Sequence, residues 1–285
     1  MPDTPIVDSH LHLWDPRLMR YPWLDGIELL NRPYLPQDHA RDWAGIAVEA
    51  MVFLQCEAEL ADAQREADWA ADLAAADPRI RGMVACAPLE NGRSAAAEVE
   101  RLARHSILRG IRRNIQAQAD PDFCLRPDFI DGVRMLADFG LTFDICVDHR
   151  HMENVLRFTE QVPQVPMILD HIGKPSIRTG TFEPWAAQMR ELAALPHVHC
   201  KISGVATEAA PGWTDDDLRP FIETAFAEFG IERTMFGGDW PVALLATTPA
   251  RWIALLDAML AHESPQRRRL FWRDNANAFY RLGLQ

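Results

Sequence analysis

Lysine is almost absent from this chain. Of 29 basic residues, only Lys174 and Lys201 are lysines, and the other basic positions are arginines. A lysine ammonium is compact and adjusts its pKa readily, whereas a guanidinium stays charged. The two lysines, at the ends of neighbouring predicted strands, are therefore candidates for specific roles, although for Lys201 simple retention without a role stays open.

Other absences narrow the class of protein. The five cysteines are far apart and include no Cys-x-x-Cys pair, a pattern that indicates reduced thiols. No apolar run reaches the length of a membrane span, and the first residues lack the basic and apolar regions of a signal peptide. We therefore expect a cytoplasmic protein.

The charge balance argues against two kinds of partner. A formal net charge of -12 disfavours nucleic acid and anionic membranes, although a few local cations would still permit an anionic substrate. The composition is that of an ordinary globular protein, so the expected partner is a small-molecule substrate. The sequence leaves open whether the chain forms a homo-oligomer.

Short apolar runs alternate with segments of helical composition along the whole chain. The eight runs are 6–14, 50–56, 82–89, 108–114, 141–147, 167–172, 198–204 and 235–239. The predicted helices are 59–76, 94–104, 128–139, 152–161, 183–194, 215–229, 249–261 and 265–282. Near-continuous apolar runs are typical of strands buried on both faces of a parallel sheet.

This alternation predicts an α/β fold, a single-domain (β/α)8 barrel over residues 1–285. A doubly wound open sheet is the alternative, but no glycine-rich phosphate loop follows the first run. Two long connections, 15–41 and 205–214, would lie over the end of the barrel where such enzymes act, as covers or as plugs.

Ionisable side chains gather where the runs end. His10 and His12 lie two apart in the first run, so in a strand both imidazoles would face one point. Arg112 is one of the last three residues of the fourth run. His171 lies at the end of the sixth run and Lys174 just after it, and Asp239 ends the eighth run. Because the carboxyl ends of all strands meet at one face of a barrel, we expect these residues to form one site.

The five motifs at these positions together resemble the lactonase branch of the amidohydrolase superfamily. They are VDSHLHLW (7–14), LDHIGKP (169–175), CKISG (200–204), FGGDWP (236–241) and NANAFY (275–280). The branch includes hydrolases of L-fuconolactone and L-rhamnonolactone and of pyrone-dicarboxylate lactones. The resemblance covers the whole chain in order, but it does not select one substrate.

The resemblance implies roles for individual residues. Its catalytic residues correspond to Asp239, His171 and Lys174, and Arg112 and Lys174 correspond to substrate-binding positions. The set that would hold a metal is His10, His12, His171 and Asp239. Trp14 and Trp240 are either apolar walls for a sugar ring or packing at the top of the barrel.

The chain departs from the superfamily pattern at three places. Gly238 replaces a serine that often precedes the aspartate, which removes one hydroxyl. The fourth strand has no lysine and the fifth has no histidine within it, so the two-metal centre of other members is not expected. Zinc or another single divalent metal fits the pattern, and so does metal-free catalysis, which some relatives use.

The sequence thus predicts a lactonase, with Asp239 as general base for water attack on a small sugar-acid lactone. Two hypotheses of other classes remain. One is a metal-dependent decarboxylase of an aromatic or unsaturated acid, built on the same site. The other is a barrel that binds a sugar acid or a metal without catalysing a reaction.

Overall fold

Eight parallel strands form one sheet, and their order in the sheet is their order in the chain. A computed structural model describes residues 1–116 and 118–285. The strands are β1 (Ile6–Leu11), β2 (Val48–Leu54), β3 (Ile80–Ala85), β4 (Leu108–Ile111), β5 (Thr142–Ile145), β6 (Met167–Leu169), β7 (Val198–Ile202) and β8 (Thr234–Phe236).

The sheet closes where the first and last strands meet. Leu11 and Trp240 form a parallel bridge. The His12 amide donates to the Trp240 carbonyl at 2.8 Å, and the Asp239 amide donates to the His10 carbonyl at 2.8 Å. The predicted (β/α)8 barrel is therefore confirmed, and the seam that closes it runs through four of the candidate site residues.

Helices surround the sheet. They are α1 (Pro36–Asp42), α2 (Ala63–Ala76), α3 (Ala96–Leu102), α4 (Pro127–Met135), α5 (Met152–Thr159), α6 (Trp185–Ala193), α7 (Asp215–Phe229), α8 (Pro249–Met259), α9 (Pro265–Arg269) and α10 (Asn275–Phe279). The predicted last helix, 265–282, is interrupted by a π-helical turn at Leu270–Asp274, and α1 lies in a connection where no helix was expected. Among the described residues, no helix is long and apolar enough to cross a membrane.

Several predicted strands were too long at their carboxyl ends. β6 stops at Leu169 and β8 at Phe236, so His171 and Asp239 lie in the turns that follow. Both residues have a positive φ, 55° and 52°, which strands do not adopt. The apolar pattern could not reveal these ends, because the turns are as deeply buried as the strands.

The amino-terminal end of the barrel is filled by apolar side chains. Residues of five strands pack there against α10 and the residues that follow it, in a cluster made of Val7, Ala50, Val52, Leu54, Val84, Ile168, Met235, Ala276, Phe279, Tyr280 and Leu282. This plug supports the polar residues nearer the carboxyl ends of the strands, where barrel enzymes hold their active sites.

A close backbone approach fixes α4 against the turn after β3. A Cβ atom at Gly132 would lie 2.1 Å from the Leu89 carbonyl oxygen. We expect Gly132→Ala to destabilise the fold by about 1–3 kcal/mol through overpacking, although alanine is otherwise favoured over glycine in a helix by about 1 kcal/mol. Urea unfolding measures the change.

Asp131→Ala is the matched control for this prediction. Asp131 is the preceding residue of α4, and its ion pair with Arg134 is exposed, so its removal should change stability by less than about 1 kcal/mol. A Gly132→Ala chain as stable as the Asp131→Ala chain would contradict the packing argument.

Candidate active site

Four buried side chains converge at the carboxyl end of the barrel. His10 belongs to β1, His12 follows it, and His171 and Asp239 lie in the turns after β6 and β8. Asp239 Oδ1 lies 3.7, 3.6 and 4.0 Å from the Nε2 atoms of His10, His12 and His171. The Nε2 atoms of His10 and His12 are 3.2 Å apart, so both imidazoles face one point, as strand alternation predicts.

The other ring nitrogen of each histidine faces a fixed partner. His12 Nδ1 lies 2.9 Å from the Leu54 carbonyl oxygen, which can only accept, so His12 carries its proton on Nδ1. His171 Nδ1 contacts the Ser203 hydroxyl at 2.9 Å, and His10 Nδ1 lies 3.5 Å from Asp170 Oδ1. Such outer contacts orient the rings and turn the three Nε2 atoms toward a common centre.

Burial sets the protonation of the cluster. It lowers the pKa of His10 and of His12, and it lowers the pKa of His171 to about 4. Burial would raise the pKa of Asp239, but the three imidazoles around the carboxyl group hold that pKa below its usual range. Near neutral pH the site therefore contains neutral imidazoles and one carboxylate.

The ligand atoms of His10, His12 and Asp239 lie within 4.8 Å of one another, a spacing that fits a single divalent metal ion, and His171 Nε2 lies 4.0 Å from Asp239 Oδ1. Ligands about 2.0–2.2 Å from a tetrahedral zinc ion lie about 3.3–3.6 Å from one another. The measured separations among His10, His12 and Asp239, which are 3.2, 3.6 and 3.7 Å, are close to that spacing. Neutral imidazoles with oriented Nε2 atoms and an ionised aspartate are the forms that bind zinc.

A buried ion network lies beside the cluster, inside the barrel. Lys201 Nζ is 2.6 Å from Asp144 and 3.0 Å from Asp170, and none of the three side chains is exposed. Arg112 contacts Asp170 at 3.2 Å, and the Tyr280 hydroxyl donates to Asp144 at 2.6 Å. Two cations thus balance two carboxylates. Lys201, whose role the sequence left open, neutralises charge at the centre of the molecule.

A cavity of about 130 Å³ opens above the cluster. Its lining brings together five of the predicted site residues, and it consists of His12, Trp23, Cys56, Glu57, Arg112, Asn114, Cys146, His171, Lys174, Thr207, Asp239 and Val242. Cavities that take drug-sized molecules are larger, about 300–1,000 Å³, so this one suits a small ligand. A larger groove of about 390 Å³, beside α7 and α8, contains none of the predicted residues.

Two cationic side chains face this cavity, one from the residue after β4 and one from the turn after β6. Lys174 Nζ donates to Gln116 Oε1 at 2.8 Å. Arg112 donates to the Gln55 carbonyl at 2.6 Å, while its Nε has no partner among the described residues. Arg113 points away and pairs with Glu90 at 2.6 Å, because neighbours on a strand face opposite sides.

The two predicted tryptophan walls lie elsewhere. Trp14 and Trp240 are fully buried and do not line the cavity. Their rings pack edge-on against Tyr34, at centroid distances of 5.5 and 5.3 Å. The alternative interpretation, packing at the top of the barrel, describes both residues. Instead Trp23, in the long first connection, lines the cavity, and its indole donates to the Cys56 carbonyl at 2.8 Å.

Sequence reasoning missed three polar lining residues, Glu57, Asn114 and Thr207. Asn114 ends the fourth predicted strand. Glu57 directly follows the second predicted strand, so its position at a strand end was the available signal. Thr207 lies within the connection 205–214 that was expected to cover the site. Nothing in the apolar pattern distinguishes a covering residue that faces the cavity from one that faces solvent.

Asp8 joins the first strand to the turn that carries Asp239. Its Oδ1 accepts from the His10 amide at 2.9 Å and from the Gly238 amide at 2.7 Å, and burial raises its pKa to about 7. A Cβ atom at Gly238 would lie 2.5 Å from Asp8 Oδ2 and 2.7 Å from the Trp43 ring. Glycine in place of serine therefore allows this close approach.

Comparisons with known proteins agree with this geometry. The family model described as amidohydrolase matches residues 7–282. An L-fucono-1,5-lactonase of Burkholderia multivorans is 34% identical over 291 residues, which cover 97% of this chain and 96% of that protein. A crystal structure of an amidohydrolase from Burkholderia multivorans with bound zinc superposes with a TM-score of 0.87 at 33% identity, covering 98% and 99% of the two chains.

A more distant likeness concerns the fold alone. A 2,6-dihydroxybenzoate decarboxylase from Rhizobium shares the architecture with a TM-score of 0.68 at 14% identity, and the match covers all of both chains. The same barrel thus supports a different reaction in that protein, because function is set by the site and not by the fold.

The converging Nε2 atoms lead to a prediction about metal binding. We expect the chain to bind one zinc ion, and His12→Ala to weaken that binding by more than about 100-fold, since losing an outer partner alone costs about 10–100-fold. Isothermal titration of the metal-stripped protein with zinc measures both quantities without an activity assay.

His262→Asn is the control, because this histidine is largely exposed and remote from the cavity. It should bind zinc as the unaltered chain does. Equal zinc affinity in the His12→Ala and His262→Asn chains would refute the predicted ligand set.

Proposed function

This chain belongs to the amidohydrolase family, and from that premise we propose that it hydrolyses the lactone of a small sugar acid. One observation carries the proposal: an ionised carboxylate, Asp239, lies within 4.0 Å of three imidazoles in a small polar cavity that also contains two cations. The similarity to an L-fucono-1,5-lactonase over nearly the whole of both chains supports the substrate class.

Asp239 is the general base in this proposal. Its low pKa keeps it ionised, so it can take a proton as the oxygen of a water molecule attacks the lactone carbonyl carbon. The protonated carboxyl group then returns that proton to the ring oxygen when the carbon–oxygen bond breaks. The product is an open hydroxy acid, and its ionisation releases one proton to solvent.

Lys174 and Arg112 stabilise the negative charge that forms on the carbonyl oxygen. His12 holds its proton on Nδ1 and so cannot donate through Nε2, which leaves the two cations as the protein's fixed donors. Losing one such donor costs about 3 kcal/mol of barrier. A metal ion held by the three imidazoles and Asp239 would supply further positive charge to polarise the carbonyl.

The two long connections that cover the site limit the access of bulk water to it. Trp23 from the first long connection and Thr207 from the connection after β7 both line the cavity. Excluding bulk water strengthens each electrostatic contact inside. The substrate ring would lie between these covers and the histidine cluster.

Substitution of the base tests the mechanism. We expect Asp239→Asn to lower kcat by about 10²–10⁴-fold, because general base catalysis contributes that much. The thermal midpoint should change little, since the amide keeps the shape of the carboxyl group. Asp216→Asn, at a side chain that is 94% exposed, removes the same charge and should leave kcat unchanged.

The reaction class itself is tested by a pH-indicator screen of aldonolactones, with and without a chelator. Acidification by the unaltered chain and its loss in Asp239→Asn are the expected results. Release of CO₂ from an aromatic or unsaturated acid, with no lactone opened, would select the decarboxylase hypothesis instead.

A further inference from the structure

One charged group in the cavity has no part in the hydrolytic step. The carboxylate of Glu57 lines the cavity at the carboxyl end of β2, on the same face as Lys174 and Asp239. Glu57 is only partly buried, so its side chain has solvent near by. The carboxylate could therefore point into solvent. It stays in a small cavity only where the local structure holds it there.

The local backbone does hold it. Glu57 has a φ of 56°, in the left-handed region that a residue with a Cβ rarely adopts. Gln55 makes two hydrogen bonds to Glu57. Its amide nitrogen donates to the Glu57 carboxylate at 2.5 Å, and its amide oxygen accepts from the Glu57 backbone N–H at 2.6 Å. Strained backbone that its surroundings hold in place is typical of functional positions.

No cation neutralises this carboxylate among the described residues. Arg112 and Arg113 are close enough for the Glu57 charge to act on both. Yet Arg112 pairs with Asp170 at 3.2 Å, and Arg113 pairs with Glu90 at 2.6 Å. Among the described residues, Glu57 Oε1 accepts from Gln55, and Glu57 Oε2 has no partner and can accept from a ligand at the cavity wall.

The charges that line the cavity make it unsuited to a ligand that carries a carboxylate. Lys174 is bonded to the neutral Gln116 and is available to a ligand. Glu57 and Asp239 both carry negative charge in the same lining. A ligand carboxylate would meet two anions and two cations, of which Arg112 already pairs with Asp170, whereas ring hydroxyls can donate to Glu57 and accept from Lys174.

We propose that Glu57 is a specificity-determining residue that binds substrate hydroxyls and rejects lactones bearing a carboxylate, so that the enzyme acts on uncharged polyhydroxylated lactones. The inference rests on the proposed lactonase function. Sites that hydrogen-bond a substrate hydroxyl discriminate strongly against analogues lacking it, because a buried polar group is then left unpaired.

The experiment compares two lactones that differ in one group. One is an aldonolactone, and the other is the aldarolactone in which a carboxylate replaces the terminal hydroxymethyl group. The unaltered chain should prefer the aldonolactone in kcat/KM by at least about 100-fold. Glu57→Gln should reduce that preference by at least about tenfold, mainly by accepting the aldarolactone, since tenfold corresponds to about 1.4 kcal/mol of differential binding.

Two variants separate charge from structure. Glu57→Asp keeps the negative charge and should keep most of the preference. Glu59→Gln removes the same charge from an exposed residue two positions along the same loop, and its preference should equal that of the unaltered chain. Thermal unfolding confirms that each variant is folded before its rates are compared.

A measurement on the unaltered chain covers the case in which Glu57→Gln does not fold. The open-chain aldarate, with two carboxylates, should inhibit at least about tenfold more weakly than the aldonate, with one. Equal inhibition constants would overturn the proposal.

The outcomes separate this inference from the function on which it rests. If the unaltered chain opens neither lactone, the proposed function fails, and the specificity role fails with it. If it opens the aldonolactone and Glu57→Gln keeps the full preference, the specificity role alone is overturned. A loss of preference in Glu59→Gln as large as that in Glu57→Gln would also overturn it, by assigning the effect to overall charge.

Discussion

The site depends on the balance of buried charge around Lys201. Its ammonium lies within 3.0 Å of two carboxylates from β5 and the turn after β6, all without exposure to solvent. Removing one partner from such a group leaves an uncompensated charge, which costs about 3–5 kcal/mol. Asp170 also contacts His10 and Arg112. The ion pair between Lys201 and Asp170 therefore fixes the His10 ring and the Arg112 guanidinium together.

Closure of the barrel and assembly of the site are the same event. The backbone bonds that join β1 to the chain after β8 belong to His10, His12, Asp239 and Trp240. Asp8 strengthens the seam by accepting from both sides of it. The base and two of the histidines therefore take their positions only when the sheet is complete, which couples stability of the fold to geometry of the site.

The sequence predicted the barrel and the converging residues because both depend on regular rules. Alternation along a strand placed His10 beside His12, and the common direction of parallel strands brought His171 and Asp239 to the same face. It could not predict where β6 and β8 end, since the turns that follow them are as deeply buried as the strands. For the same reason it could not distinguish Trp23 in the cavity from Trp14 packed beneath the covers.

The ion network also bears on how many metal ions the site can hold. β4 leads to Arg112, whose guanidinium offers donors and no lone pair, so it cannot bind a metal. β5 carries Asp144, whose Oδ2 already accepts from both Lys201 and Tyr280. The residues that neutralise the barrel centre thus favour one metal ion beside Asp239 over two. The absence of a lysine from the fourth predicted strand and of a histidine from the fifth indicates the same.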